Sequence, residues 1–356
     1  LTASYYNQPN YAYIPNMPAA TVQNPPNPGL RWEKVGITNT GVDFESKSGR
    51  WTGTFEYFVK KGEDLIGQYE VPLANGLSRV TGNYAQIRTY GIDLILGALW
   101  IDRNVTWKSD FFLSQVKDEV TRVDVSQTGS SLINAVTSAI PFPVEGKPLF
   151  SVYSYEWAGL NPDTGNPRGI LDGEVSEDYI PIITTATPET LVYHGSARPT
   201  VFGSLRNTLG WKGFNLSVNI SYRLGYYYRR RSIDYSSLLR GQIGHGDYEN
   251  RWSNPGDELH TEIPSMPASI SSTRNLFYAN SAVLVEKGDH IRLQDIRLGY
   301  SLGKAESKWL PFRSTELYGY ANNLGILWKA SDDSLDPDFQ TAKPLTSFAI
   351  GLKIDF

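Results

Sequence analysis

From Phe214 to Tyr226 the chain alternates without a break. Phe214, Leu216, Val218, Ile220, Tyr222, Leu224 and Tyr226 hold one parity, and Asn215, Ser217, Asn219, Ser221, Arg223 and Gly225 hold the other. A period of two sends successive side chains to opposite faces of an extended strand, so one face is apolar and the other wet. Trp51 to Lys60 repeats the pattern, as do Val105 to Leu113 and Phe348 to Phe356. No stretch sustains a helical period to the same degree. Further strands are expected near 30 to 45, 84 to 99, 200 to 211, 289 to 303 and 313 to 327. Within 84 to 99 the apolar parity changes around Thr89 to Gly91, which predicts a bulge or a wall that changes character along its length.

The connections alternate in length. Short turns sit at Ser46 to Gly49, Asp102 to Asn104 and Trp211 to Gly213, with a somewhat longer one at Lys304 to Pro311. Between them lie long Pro/Gly/Asn/Asp-rich excursions at 61 to 83, 123 to 199, 229 to 288 and 328 to 344. A transmembrane β-barrel of a bacterial outer membrane is wired this way, with brief periplasmic turns and extended outer loops. A soluble β-sandwich also alternates, but stretches of about 10 to 14 residues exceed ordinary strands and suit a tilted bilayer crossing of roughly 9 to 11.

The expected fold is therefore all-β, an antiparallel transmembrane barrel with nine strands in this chain, or eleven. The organisation reads as an outer loop at 1–29, barrel strands at 30–122, an outer excursion at 123–199, a barrel hairpin at 200–228, an outer loop at 229–288 and barrel strands at 289–356. Strand direction requires an even number of crossings between 123 and 199. The segment 147–160 is thus an external hairpin, which we prefer, or one of a pair of extra crossings.

Composition narrows the function. With 22 Tyr, 9 Trp, 14 Phe, 32 Gly and 21 Pro among 356 residues, the chain favours strands and turns over helices. The formal charge is only -4, with 33 Lys and Arg against 37 Asp and Glu, which argues against nucleic acid as a partner. The absence of cysteine removes disulfides, thiol nucleophiles and Cys-ligated metals. The longest apolar run, Leu94 to Ile101, is far too short for a membrane helix.

Several pieces, in order, carry a likeness. They are Asn27 to Lys34 leading into Gly41-Val42-Asp43-Phe44, Phe55 to Leu65, Ile87 to Asp93, Glu156 to Gly165, Arg198 to Leu205, Ile291 to Tyr300, Asn322-Asn323-Leu324 and Asp336-Pro337-Asp338-Phe339. Through them the chain resembles the C-terminal part of a SusC/RagA-type TonB-linked outer-membrane transporter over nearly its whole length. The resemblance implies a 22-stranded barrel closed by a plug, an energising TonB complex acting through an N-terminal part, and a SusD-like surface lipoprotein as lid. It also implies oligosaccharide or peptide solutes and an assembly signal at Phe356. No plug-like segment is found, and nine to eleven strands are too few. The chain is expected to be one portion of a longer polypeptide or of a split one, and to meet the remaining barrel and plug polypeptide as well as outer-membrane lipid.

Transport rather than catalysis is the expected role, with no cofactor. An all-β glycan-binding or adhesin module is the alternative. Asp163-Thr164-Gly165 matches the aspartic-protease triplet, but it stands alone among turn formers. His194, His245, His260 and His290 are too scattered for a local metal motif. Asp332, Asp333, Asp336 and Asp338 offer oxygen ligands without the EF-hand pattern and read as a solvated acidic loop. Gly241 to Gly246 lacks the lysine of a phosphate loop. The run Arg229-Arg230-Arg231 is expected at the outer headgroup level or as solvated loop charge. Tyr153, Tyr155, Trp157, Tyr248 and Trp252 are the substrate-contact candidates, because flat rings stack on sugars or bury peptide side chains. The same rings could instead pack loop against loop, the blander and favoured reading.

Overall fold

The computed structural model describes residues 2–6, 19–70, 79–124, 143–303, 313–332, 334–339 and 343–355. Nine strands form one sheet: β1 (Lys34–Glu45), β2 (Trp51–Glu70), β3 (Arg79–Asp102), β4 (Val105–Val123), β5 (Val201–Trp211), β6 (Phe214–Leu224), β7 (His290–Gly303), β8 (Ser314–Lys329) and β9 (Ser347–Asp355). Each pairs antiparallel with its neighbours in chain order, so β1 and β9 are the two edges and the sheet does not close on itself among the described residues. This is the nine-strand expectation. The hairpins between β3 and β4 and between β5 and β6 turn in two residues, with Lys212 and Gly213 both at positive φ.

The register carries one face across the whole sheet. Phe214 stands opposite Trp211 and Tyr300, Leu216 opposite Leu209 and Leu298, and Ile220 opposite Leu205 and Leu293. Leu205 continues to Phe111 and then Leu96. No second sheet covers this face among the described residues. Trp211, Leu298, Leu317, Phe348, Ile350 and Leu352 are 52 to 86% exposed. A soluble sandwich would bury them; a barrel turns them to lipid. At the short-turn end Trp100 packs on Trp51 and Trp107 with ring centroids 4.9 and 6.0 Å away. Their indole N–H groups reach Ser109 Oγ at 2.9 Å and Asn207 Oδ1 at 3.1 Å, the half-wet setting of an interfacial girdle. On the same face Tyr222 lies over Gly203 and donates its hydroxyl to the Phe112 carbonyl at 2.9 Å. A Cβ on Gly203 would sit 2.5 Å from that hydroxyl, so the glycine makes room for the ring.

Two expectations change. The excursion at 61 to 83 is mostly strand: β2 runs to Glu70 and β3 starts at Arg79. At 24 residues, β3 reaches roughly 80 Å, far beyond the roughly 9–11 residues of a crossing, so its distal half projects past the hydrocarbon. Thr89 to Gly91 hold continuous register with both neighbours; the shifts lie instead at Gly62/Leu65, Leu65/Ile66, Gln86/Ile87 and Leu99/Ile101. The parity changes there because the strand leaves the apolar layer. Outside the nine-stranded sheet, as preferred for the segment 147–160, Ser151–Ser154 pairs antiparallel with Val192–Ser196, too few residues to cross a bilayer. The expected turn at Lys304 to Pro311 and the terminal Phe356 lie outside the described residues.

Val218 faces outward beside Ile296 and Asn207. Val218→Arg is expected to cost about 2–4 kcal/mol if the site lies near mid-bilayer, whereas Ser204→Arg, on the inner face, costs under about 1 kcal/mol. Equilibrium folding of the intact barrel into lipid vesicles measures both, and equal penalties would refute the assignment of faces.

Candidate functional site

The two large excursions, 143–199 and 226–288, fold onto each other as an outer cap with two adjoining apolar clusters. One gathers Tyr153, Tyr155, Ile182, Ile183, Leu191 and Phe277; the other gathers Ile233, Tyr235, Ile263, Tyr278 and Leu284, with Trp157 packed against both. Backbone bonds seal the join: Tyr155 N–H donates to the Asn280 carbonyl at 3.0 Å and Ala282 N–H to the Tyr155 carbonyl at 2.9 Å. The Phe277 ring stacks on Tyr155 and Tyr179, 5.8 and 5.4 Å away. It comes from the helix Ser272–Ala279, whose Ser271 cap accepts from Arg274 N–H.

Asp163-Thr164-Gly165 lies in a turn nucleated by Asn161, whose Oδ1 accepts from the N–H groups of Asp163 and Thr164 at 2.8 and 3.2 Å. Gly165 has φ +67°, and a Cβ there would stand 2.3 Å from the Trp252 ring. Trp252 thus closes the second excursion over a turn of the first. Arg274 completes the join through Asn166 Oδ1 and the Ser265 carbonyl at 2.9 and 2.8 Å.

This packing decides the aromatic candidates. Tyr153 and Tyr155 are 2% exposed and Trp252 is 8% exposed, so their rings are core and are not open to a solute. Burial pushes both tyrosine hydroxyls up to about 12. Trp157 and Tyr248 are half-buried, with the Arg251 guanidinium 3.9 Å over the Tyr248 ring. The Arg run departs further from its expected place at the lipid. Arg229 donates to Asn280 Oδ1 at 3.0 Å and to the Tyr153 carbonyl, and Arg230 pairs with Asp247 at 2.9 Å, so both turn into the cap. Burial draws the Arg229 guanidinium down to about 10. The run borders a cavity of about 630 Å³ together with Ser272, Asn275 and Asn280.

The inner face of the sheet holds charges that sequence reasoning did not single out. Arg206 donates to both oxygens of Asp295 at 3.1 and 3.2 Å and to Ser217 Oγ at 3.0 Å. Asn219 Nδ2 reaches Asp295 at 2.9 Å, and Arg297 meets Glu316 at 2.6 Å. At the cap end, Arg292 Nη2 donates to both carboxylate oxygens of Asp336 at 2.7 Å, both side chains nearly fully buried. Asp338 lies 2.8 Å from Arg223 and 3.3 Å from His290. Of the acidic residues expected in solvent, Asp336 and Asp338 are therefore a latch holding the 334–339 segment to strand ends, while Asp332 is exposed. Asp333 lies outside the described residues, and no grouping of ligands suited to a metal ion occurs among them. All of these residues occupy polar parity, which says only that a face is wet; which acid meets which base depends on register across strands up to 89 residues apart.

A wall with a lipid-facing apolar side, an ion-laced inner side and a folded outer cap defines a section of a large outer-membrane β-barrel. No family model matches the chain. Among curated proteins it is 24% identical to TonB-dependent receptor P39 of Formosa agariphila, covering 93% of this chain and 36% of that protein. It is 27% identical to TonB-dependent receptor SusC of Bacteroides thetaiotaomicron, over 93% and 32% respectively. Among solved structures, that of the RagAB peptide transporter superposes with a TM-score of 0.71 at 16% identity, over all of this chain and 38% of that one. The likeness to SusC/RagA-type TonB-linked outer-membrane transporters is thus borne out, and the chain spans about a third of the curated relatives it matches.

Removing Arg292 strands a buried carboxylate. Arg292→Ala is expected to cost about 3–5 kcal/mol locally and to expose 334–339 to protease, read by limited proteolysis of the folded barrel. Burial alone would raise the Asp338 carboxyl, but His290 and Arg223 hold it down at about 2. Its folded value lies below the unfolded one, so its stabilisation is complete above about pH 4 and is lost as pH falls toward 2. Proteolysis with an acid-active protease should report that loosening in the native protein but not in Asp338→Asn.

Proposed function

We propose that the chain forms part of the wall and the outer cap of a TonB-dependent importer that takes up oligosaccharides or peptides together with a SusD-like surface lipoprotein. In this reading the short turns face the periplasm, the cap at 143–199 and 226–288 faces outward, and the TonB complex acts through a plug polypeptide outside these residues. The observation that carries it is the unbroken division of faces across nine paired strands. Such a wall suits passage of a polar solute along its inner side. The cap supports selection at the entrance, where the half-buried Trp157 and Tyr248 are the remaining aromatic candidates. Peptides are suggested by the name of one solved relative, a peptide transporter, and oligosaccharides by the resemblance to the SusC/RagA type. No observation favours an adhesin, whose apolar faces would be covered.

Uptake of labelled oligosaccharides and peptides by the parent organism tests the proposal. Loss of the gene is expected to abolish uptake of one class, with rescue by the intact gene and a block by a protonophore. Purification of the tagged transporter should also bring down a lipoprotein. Uptake indifferent to both gene and proton gradient would overturn import.

A further inference from the structure

The outward face of β2, β3 and β4 changes chemistry in steps. Phe55, Leu94 and Leu113 form one row; Tyr57, Ile92 and Gln115 the next; Val59, Tyr90 and Lys117 the third; Lys61, Arg88 and Glu119 the fourth. The apolar band therefore ends at two tyrosines, and cations follow at once on the same side. Lys61 and Arg88 stand directly opposite each other, and Lys117 is diagonal to Arg88. Directly opposed residues lie about 4.5–5.5 Å apart at Cβ and diagonal ones about 7–8 Å, and opposed like charges are destabilising. All three cations are exposed, and none closes an ion pair or side-chain hydrogen bond with another of the described residues. Glu63 and Glu119 share the face but leave it net positive, while Lys34 is spent on Asp64 at 4.0 Å.

A cationic pair facing lipid, just beyond an aromatic belt, is stable when an anion bridges it. We propose that Lys61, Arg88 and Lys117 form a binding site for the phosphate of an outer-leaflet lipid headgroup, with Tyr57 and Tyr90 seated at the top of its acyl chains. Arg supplies a planar fork and the lysines point charges, a pairing suited to phosphate. The headgroup role expected of Arg229 to Arg231 falls to these residues, placed by register rather than by adjacency. The site rests on the membrane orientation proposed above.

The test uses the full-length transporter in detergent, delipidated and then titrated with a bisphosphorylated disaccharide lipid, its dephosphorylated counterpart or inorganic phosphate, and followed by native mass spectrometry. Retention of the phosphorylated lipid is expected. The variant K61Q/R88Q/K117Q should lose roughly a hundredfold in affinity, and K61R/R88K/K117R should keep it. Lys60→Gln, on the opposite face of β2, should change nothing. Equal retention of the two lipids by the native protein overturns the site even if the triple variant fails to fold. So does an unaffected triple variant, or equal occupancy by inorganic phosphate alone. Labelling of Lys61→Cys by an impermeant maleimide in intact cells reads orientation separately, and solute uptake by the triple variant reads import separately.

Discussion

Hydrocarbon offers no hydrogen-bond partners, so every backbone N–H and C=O that enters it must be satisfied by another backbone group. The nine strands answer that demand with continuous antiparallel ladders, each strand joined to the next in chain order. The edges at Lys34–Glu45 and Ser347–Asp355 are where the ladder asks for further strands. Side-chain chemistry then has two distinct solvents to satisfy, and the alternation of Phe214 to Leu224 is the direct imprint of both.

The inner side follows from the same geometry. Charges turned away from lipid share a confined polar face, where they pair across strands, as Arg206 does with Asp295 and Arg297 with Glu316. Paired charges cost less to seclude than lone ones, and the two-nitrogen fork of Arg206 on Asp295 adds specificity to the attraction. The latch around Asp336 and Asp338 extends this logic beyond the membrane, where it ties a connection to β6 and β7 instead of leaving it in solvent.

The cap shows why long excursions need not be loose. Segments from opposite sides of the β5–β6 hairpin share two apolar clusters, and the side chains that made the excursions look ready for a ligand are the ones that hold them together. Tyr155 stacks on Phe277 and Tyr153 tilts against Tyr193, both buried, and Trp252 lies on Gly165, where a Cβ would strike its ring. An aromatic residue in a loop carries the same signature whether it awaits a solute or a neighbouring loop, because both bury the same apolar area.

Periodicity alone made the strands around 51–60, 105–113, 214–226 and 348–356 legible, along with their facing and the short turns, because a period of two is a local property of extended backbone. It also made the transmembrane-barrel class legible, since strand length and loop asymmetry are written in order along the chain, while the large size of the barrel came from the family resemblance. The reach of β2 and β3 past the bilayer, the inward turn of Arg229 and Arg230, the latch on Asp338 and the opposition of Lys61 to Arg88 were decided only by tertiary structure. Each depends on which residue of a distant strand or loop lies alongside, and that pairing is set by register and packing between segments rather than by any residue's own neighbours.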